Sequence, residues 1–99
     1  MRWPWAETKV PDCEVVLFTR AGCHLCETAQ AALERARERF GFALREVDIA
    51  GDAALEAAYG EQIPVVTVDG KVRFRGCVNE VLLTRLLRAR PRPGYRTDA

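Results

Sequence analysis

Four consecutive apolar residues, Val15-Val16-Leu17-Phe18, constrain this chain more than any other feature. Three of the four are β-branched or aromatic, and Glu14 and Thr19 bound the run. Continuous apolarity of this kind predicts a strand covered on both faces, at the centre of a sheet. With 99 residues, the chain has room for one core and one domain.

The remaining elements are read outward from that strand. Leu25, Ala29, Ala32, Leu33, Ala36 and Phe40 recur at helical spacing, with Glu27, Glu34, Arg35, Arg37 and Glu38 mostly opposite them. Gly41 is the expected stop of this helix. A second strand is expected over 42–49, where charges are interspersed among Leu44, Val47 and Ile49. A short Ala-rich helix over 52–59 ends at Gly60. The next strand is expected over 63–68, starting around Pro64. Asp69-Gly70 separates it by two residues from 71–75, the strongest short hairpin signal available. Val72 and Phe74 alternate there with Lys71, Arg73 and Arg75, as on an edge strand with one wet face. Asn79 is placed to cap a last helix carrying Leu82, Leu83, Leu86 and Leu87, which Pro91 ends.

The expected order is therefore βαβαββα, an α/β domain over residues 13–90. Its first two strands are parallel through a right-handed crossover and its last two antiparallel. Residues 1–12 read as an irregular lead-in containing Trp3 and Trp5. Residues 91–99 read as a basic, disordered tail.

Bulk properties narrow the function. A formal charge of +1 supplies no general attraction to nucleic acid or an anionic membrane. No segment approaches the roughly 18 apolar residues of a membrane span. The start MRWPWAETKVPD lacks the apolar core of a secretory signal, so the expected compartment is the cytoplasm. Thiols stay reduced there, and a disulfide framework is not expected of Cys13, Cys23, Cys26 and Cys77. The expected state is a monomer.

The chemistry concentrates at Gly22-Cys23-His24-Leu25-Cys26, where the first strand hands over to the first helix. Two cysteines three apart are a redox couple, part of a zinc site with Cys13 and His24, or unrelated core thiols. The junction favours the couple. Free N–H groups and the helix dipole stabilise an anion at a helix start, which activates a thiol there. Cys23 then attacks a disulfide. Cys26, one turn on and within disulfide reach, resolves the mixed disulfide.

The run FTRAGCHLC, then IPVVTVDG, then Gly76 before the last helix, resembles the glutaredoxin-like branch of the thioredoxin fold. The resemblance implies a thioredoxin-like, four-stranded mixed sheet flanked by three helices. It implies a thiol–disulfide oxidoreductase with no tightly bound cofactor, acting on protein or low-molecular-weight disulfides and re-reduced by an external thiol or a reductase. It further implies a cis peptide before Pro64 and a substrate-pairing backbone at Ile63. Arg20 stands where the family often carries a lysine that meets a glutathione carboxylate. His24 and Leu25 replace the family's Pro-Tyr. Gly76-Cys77-Val78-Asn79 lacks the first glycine and both acids of the family's pattern, so glutathione is a doubtful reductant. Arg20, His24, Leu25, Ile63, Pro64, Gly76, Cys77 and Val78 are thus the expected substrate face, with no metal.

Other features have modest readings. His24 is expected to be a solvated first-turn residue, or else a charge near the Cys23 thiolate. Cys77 is a passive small residue or a third thiol near the site. Cys13 carries no assigned role, and Asp69-Gly70 is a turn alone. Arg85 through Arg96 form a solvated helix end and tail, or contact an acidic partner. The rival from another class is a binding or adaptor module that keeps the fold without turning the cysteines over.

Overall fold

The strand built on the apolar run, β1 (Glu14–Thr19), lies inside the sheet between β2 (Ala43–Asp48) and β3 (Val65–Val68). The computed structural model describes residues 10–89. It completes the expected order with α1 (His24–Phe40), α2 (Ala53–Tyr59), β4 (Lys71–Arg75) and α3 (Glu80–Ala89). Strand order is β2-β1-β3-β4. β1 and β2 run parallel, from Glu14 opposite Ala43 to Thr19 opposite Asp48. β3 is antiparallel to both β1 and β4, and an irregularity between Val66 and Thr67 shifts the β3–β4 register.

Strand parity sorts the side chains. Val15 and Leu17 face the main core with Val66 and Val68, against Ala29, Leu33, Ala36 and Phe40 of α1 and Leu83 and Leu87 of α3. Each large side chain fully buried here contributes about 1.5–3 kcal/mol relative to exposure. Phe18 faces the other side, its ring 4.8 Å from that of Tyr59 at the end of α2. Both faces of β1 are thus covered, as four apolar residues in a row require.

Local signals account for the ends of the elements. Gly41 takes a left-handed conformation (φ 73°) and its N–H reaches the Arg37 carbonyl at 2.7 Å, closing α1. Asp52 caps α2 through the Leu55 N–H at 3.1 Å, and Asn79 caps α3 through the Leu82 N–H at 3.0 Å.

Three expectations need correction. Leu25 is 55% exposed, and Cys26 instead opens the buried stripe of α1. One residue is a rotation of about 100° on a helix, enough to turn Leu25 outward. β3 starts at Val65 rather than 63, because proline brings no N–H to a ladder; the Ile63–Pro64 peptide is cis, as the resemblance implies. The described end of the lead-in, 10–12, holds no helix or strand, yet Val10 is buried in the core and its N–H donates to the Phe40 carbonyl at 2.7 Å. Asp69 is more than a turn residue. Its Oδ1 accepts the Glu14 N–H at 3.0 Å, and its own N–H donates to the Glu14 carbonyl at 2.8 Å. Trp3 and Trp5, Pro91 and the tail over 91–99 lie outside the described residues.

Candidate active site

β1 delivers the chain to α1 through a tight connection in which the Cys23 N–H donates to the Arg20 carbonyl at 3.2 Å. Cys23 is the N-cap, with extended backbone (φ −86°, ψ 111°). Its carbonyl accepts the Glu27 N–H at 3.2 Å, the first helical bond. Its Sγ accepts the Cys26 N–H, also at 3.2 Å. A sulfur thus takes the place that a serine or aspartate oxygen usually takes at a helix start. The Cys26 N–H and the helix dipole both complement negative charge on that sulfur.

The two thiols differ in environment. Cys23 is half-buried, whereas Cys26 is 3% exposed behind it, and both are reduced. Burial pushes the Cys26 thiol above its ordinary range, and its hydrogen bond with the Cys23 sulfur adds to the rise. The Thr19 side chain and the Arg20 backbone pull the other way. An accessible sulfur backed by a buried, protonated one is the arrangement that a nucleophile and a resolving thiol require.

A cavity of about 410 Å³ opens beside the pair. Thr19, Arg20, Cys23 and Cys26 line it, together with Glu46 and Asp48 of β2. Glu27 and Gln30 contribute from α1, and the Gln30 amide is hydrogen-bonded to Glu46. None of these acidic residues was among the expected site residues. Strand parity carries the signal: Leu44, Glu46 and Asp48 share one face of β2, and the register sets them beside Val15, Leu17 and Thr19.

The expected substrate face is only partly gathered here. Of its members, Arg20 alone joins the cysteines in the cavity wall. Its guanidinium lies 2.8 Å from the Glu56 carboxylate of α2, so its charge is already paired. His24 has a side chain 91% exposed, with Nδ1 3.9 Å from Glu27, and Leu25 also faces solvent. Ile63, Pro64, Gly76, Cys77 and Val78 belong to the β3 side, outside the cavity wall. The register that ends at Phe18 opposite Val65 brings Pro64 to the level of Thr19. Gly76 joins the two loops: at φ 82° its N–H meets the Gln62 carbonyl at 3.0 Å and the Pro64 carbonyl at 2.8 Å. That conformation favours glycine. Cys77 is exposed, while Val78 packs against the core instead of lying open.

The ligands of the zinc alternative do not converge. Cys13 is fully buried at the start of β1, the strand end opposite to Cys23, and His24 faces solvent. Among the described residues, no three His, Cys, Asp or Glu side chains are grouped to hold a metal ion.

Fold and site together define a thioredoxin-like α/β domain with paired thiols at the start of its first helix. Residues 14–88 match the family described as the glutaredoxin-like domain (DUF836), and the chain belongs to that family. Uncharacterized proteins of Mycobacterium bovis and Mycobacterium tuberculosis are each 33% identical to it over 63 residues. That match covers 59% of this chain and 65% of each relative, so the chain spans just under two thirds of their length. Among solved structures, an X. campestris structural-genomics protein is 38% identical, with a TM-score of 0.64 over 78% of this chain and 99% of that one. A thioredoxin from Halobacterium salinarum is 25% identical, with a TM-score of 0.60 over 77% of this chain and 72% of that one.

Proposed function

We propose that this protein is a dithiol thiol–disulfide oxidoreductase, with Cys23 as nucleophile and Cys26 as resolving thiol. The observation that carries the reading is the pairing of an accessible N-cap sulfur with a buried thiol one turn behind it. The Cys26 N–H donates to the Cys23 sulfur at 3.2 Å. The Cys23 thiolate attacks one sulfur of a substrate disulfide; the S–S bond breaks and a substrate thiolate leaves, taking up a proton. Cys26 then loses its proton and attacks the Cys23 sulfur of the mixed disulfide. The second substrate thiol departs, and a Cys23–Cys26 disulfide remains. The protein has given two electrons and the substrate has gained them.

An external thiol or a reductase returns the pair to its reduced state. Arg20 is engaged by Glu56, and Val78-Asn79 stand where the family carries acids. Both features favour a donor other than glutathione. No described helix is long and apolar enough to cross a membrane. A reducing compartment such as the cytoplasm suits a couple that acts as a reductant.

Mixing Cys26→Ser protein with a disulfide substrate tests the reading. The expected product is a stable mixed disulfide through Cys23, seen by intact mass and lost with Cys23→Ser. No adduct at Cys23 would favour a binding or adaptor module whose thiols are not turned over.

A further inference from the structure

The dithiol shares its cavity with an uneven set of charges. Glu27, Glu46 and Asp48 line it beside Cys23 and Cys26, and among the described residues Arg20 is the one cation in that lining. Arg20 is engaged by a group outside the lining. Its Nη2 lies 2.8 Å from Glu56 Oε1, and Glu56 Oε2 accepts the Gly51 N–H at 3.2 Å, so both carboxylate oxygens are used.

The two β2 carboxylates have neutral partners. The Gln30 amide donates to Glu46, and Asp48 Oδ1 accepts the Ala50 N–H at 2.9 Å. Among the described residues no cation pairs with either. The register sets Glu46 opposite Leu17 and Asp48 opposite Thr19, at the end of β1 that leads into Cys23. Glu27 lies 3.9 Å from the Nδ1 of the exposed His24. This balance bears on the chemistry. Carboxylates disfavour a further negative charge nearby, and the attacking species is a thiolate. A substrate that brings positive charge removes the opposition at the moment of attack, and one that brings negative charge adds to it. The volume, about 410 Å³, lies in the range of small-molecule sites.

We propose that Glu46 and Asp48 select disulfides carrying an ammonium or guanidinium group close to the sulfurs, by seating that cation in the cavity beside Cys23. This inference rests on the oxidoreductase reading and names its substrate class. The exchange keeps its balance. The Cys23 thiolate attacks, the substrate S–S bond breaks, and the first cationic thiolate leaves and takes up a proton. Cys26 loses its proton and displaces the second, and the Cys23–Cys26 disulfide holds the oxidation. Glu46 and Asp48 move no proton; they set which substrate arrives and how long it stays.

The test offers three disulfides to the reduced full-length protein: dicationic cystamine, neutral hydroxyethyl disulfide and anionic dithiodipropionate. Acid quenching, maleimide labelling and intact mass follow loss of the Cys23–Cys26 dithiol, with adducts at Cys77 counted apart. Each rate is divided by that of the same disulfide with dithiothreitol, which removes its intrinsic reactivity. At low salt the parent should prefer cystamine to hydroxyethyl disulfide by about three- to tenfold, and the gap should shrink at high salt. In Glu46→Gln/Asp48→Asn that ratio should fall toward one. Glu46→Lys should reverse the order in favour of dithiodipropionate, an outcome that unfolding does not produce. A lysine-flanked cystine peptide, set against its alanine counterpart, forms the last arm. A preference confined to cystamine assigns a small aminothiol, and one shared with the peptide assigns a basic segment. Equal normalised rates for the three disulfides in the parent would overturn the proposal. So would a cystamine preference that survives either variant, or one lost without reversal under Glu46→Lys. A parent that keeps its dithiol with every disulfide would instead remove the oxidoreductase reading, and this inference with it.

Discussion

Arg20 and Glu56 meet at 2.8 Å between the β1–α1 connection and α2, and the same carboxylate accepts the Gly51 N–H at 3.2 Å. The cation beside the dithiol is therefore neutralised by an element distant in sequence. This relationship bears on substrate choice more than on stability, since exposed pairs contribute about 0–1 kcal/mol.

Glu56→Gln should release the Arg20 charge toward the cavity. The rate with an anionic disulfide such as oxidised glutathione should rise roughly two- to fivefold, and that gain should shrink at high salt. The rate with neutral hydroxyethyl disulfide should stay constant. Equal changes with both substrates would show that the pair acts on shape, not charge.

The Cys26 thiol titrates above its ordinary value, chiefly through burial. A folded-state value above the unfolded one stabilises the fold below the unfolded pKa, and that term is lost as pH rises through the folded one. The stability gap between reduced wild type and Cys26→Ala should accordingly narrow from neutral toward alkaline pH. Urea midpoints across that range measure it; a constant gap would contradict the shift.

Glu80 of α3 and Arg35 of α1 form an exposed pair at 2.8 Å, and the hydrogen bond from Arg35 is the main cause holding the Glu80 carboxyl below its usual range. A lowered carboxyl gives stability above its unfolded pKa, lost as pH falls through the folded value. Glu80→Gln should thus cost a small amount of Tm at neutral pH and less at acid pH. High salt should erase much of the difference, as thermal melts at two ionic strengths would reveal.

Asp69 joins the hairpin turn to the start of β1 through Glu14, at 3.0 and 2.8 Å. It also adopts φ 52°, a left-handed conformation that Asn shares and Ala resists. Asp69→Ala should lose about 1–2 kcal/mol by denaturant unfolding, and Asp69→Asn should lose much less. Equal losses would assign the effect to charge.

Much of the architecture was legible locally. A period of one apolar residue in 3.6 marks α1, Asp69-Gly70 marks the hairpin, and Asn79 marks the start of α3, because each signal lies within a few residues of what it specifies. The candidate site was legible only in its local half. Cys23 and Cys26 are three residues apart at a strand–helix junction, so their contact needs no distant partner. Leu25 shows the limit of periodicity: it fits an apolar helical stripe, but packing chose Cys26 for the buried position.

By itself, the sequence determined that 15–18 would be covered on both faces, that a parallel crossover would follow, and that a thiol would stand at the start of the first helix. Tertiary structure decided what stands across from that thiol. The parallel register of β1 and β2 sets Asp48 beside Thr19 and Glu46 beside Leu17, and the seat of α2 turns Arg20 to Glu56. The physical reason is range. Backbone hydrogen bonds and side-chain periodicity encode an element from within, whereas partners across a sheet are set by burying shared apolar faces, which no single segment contains.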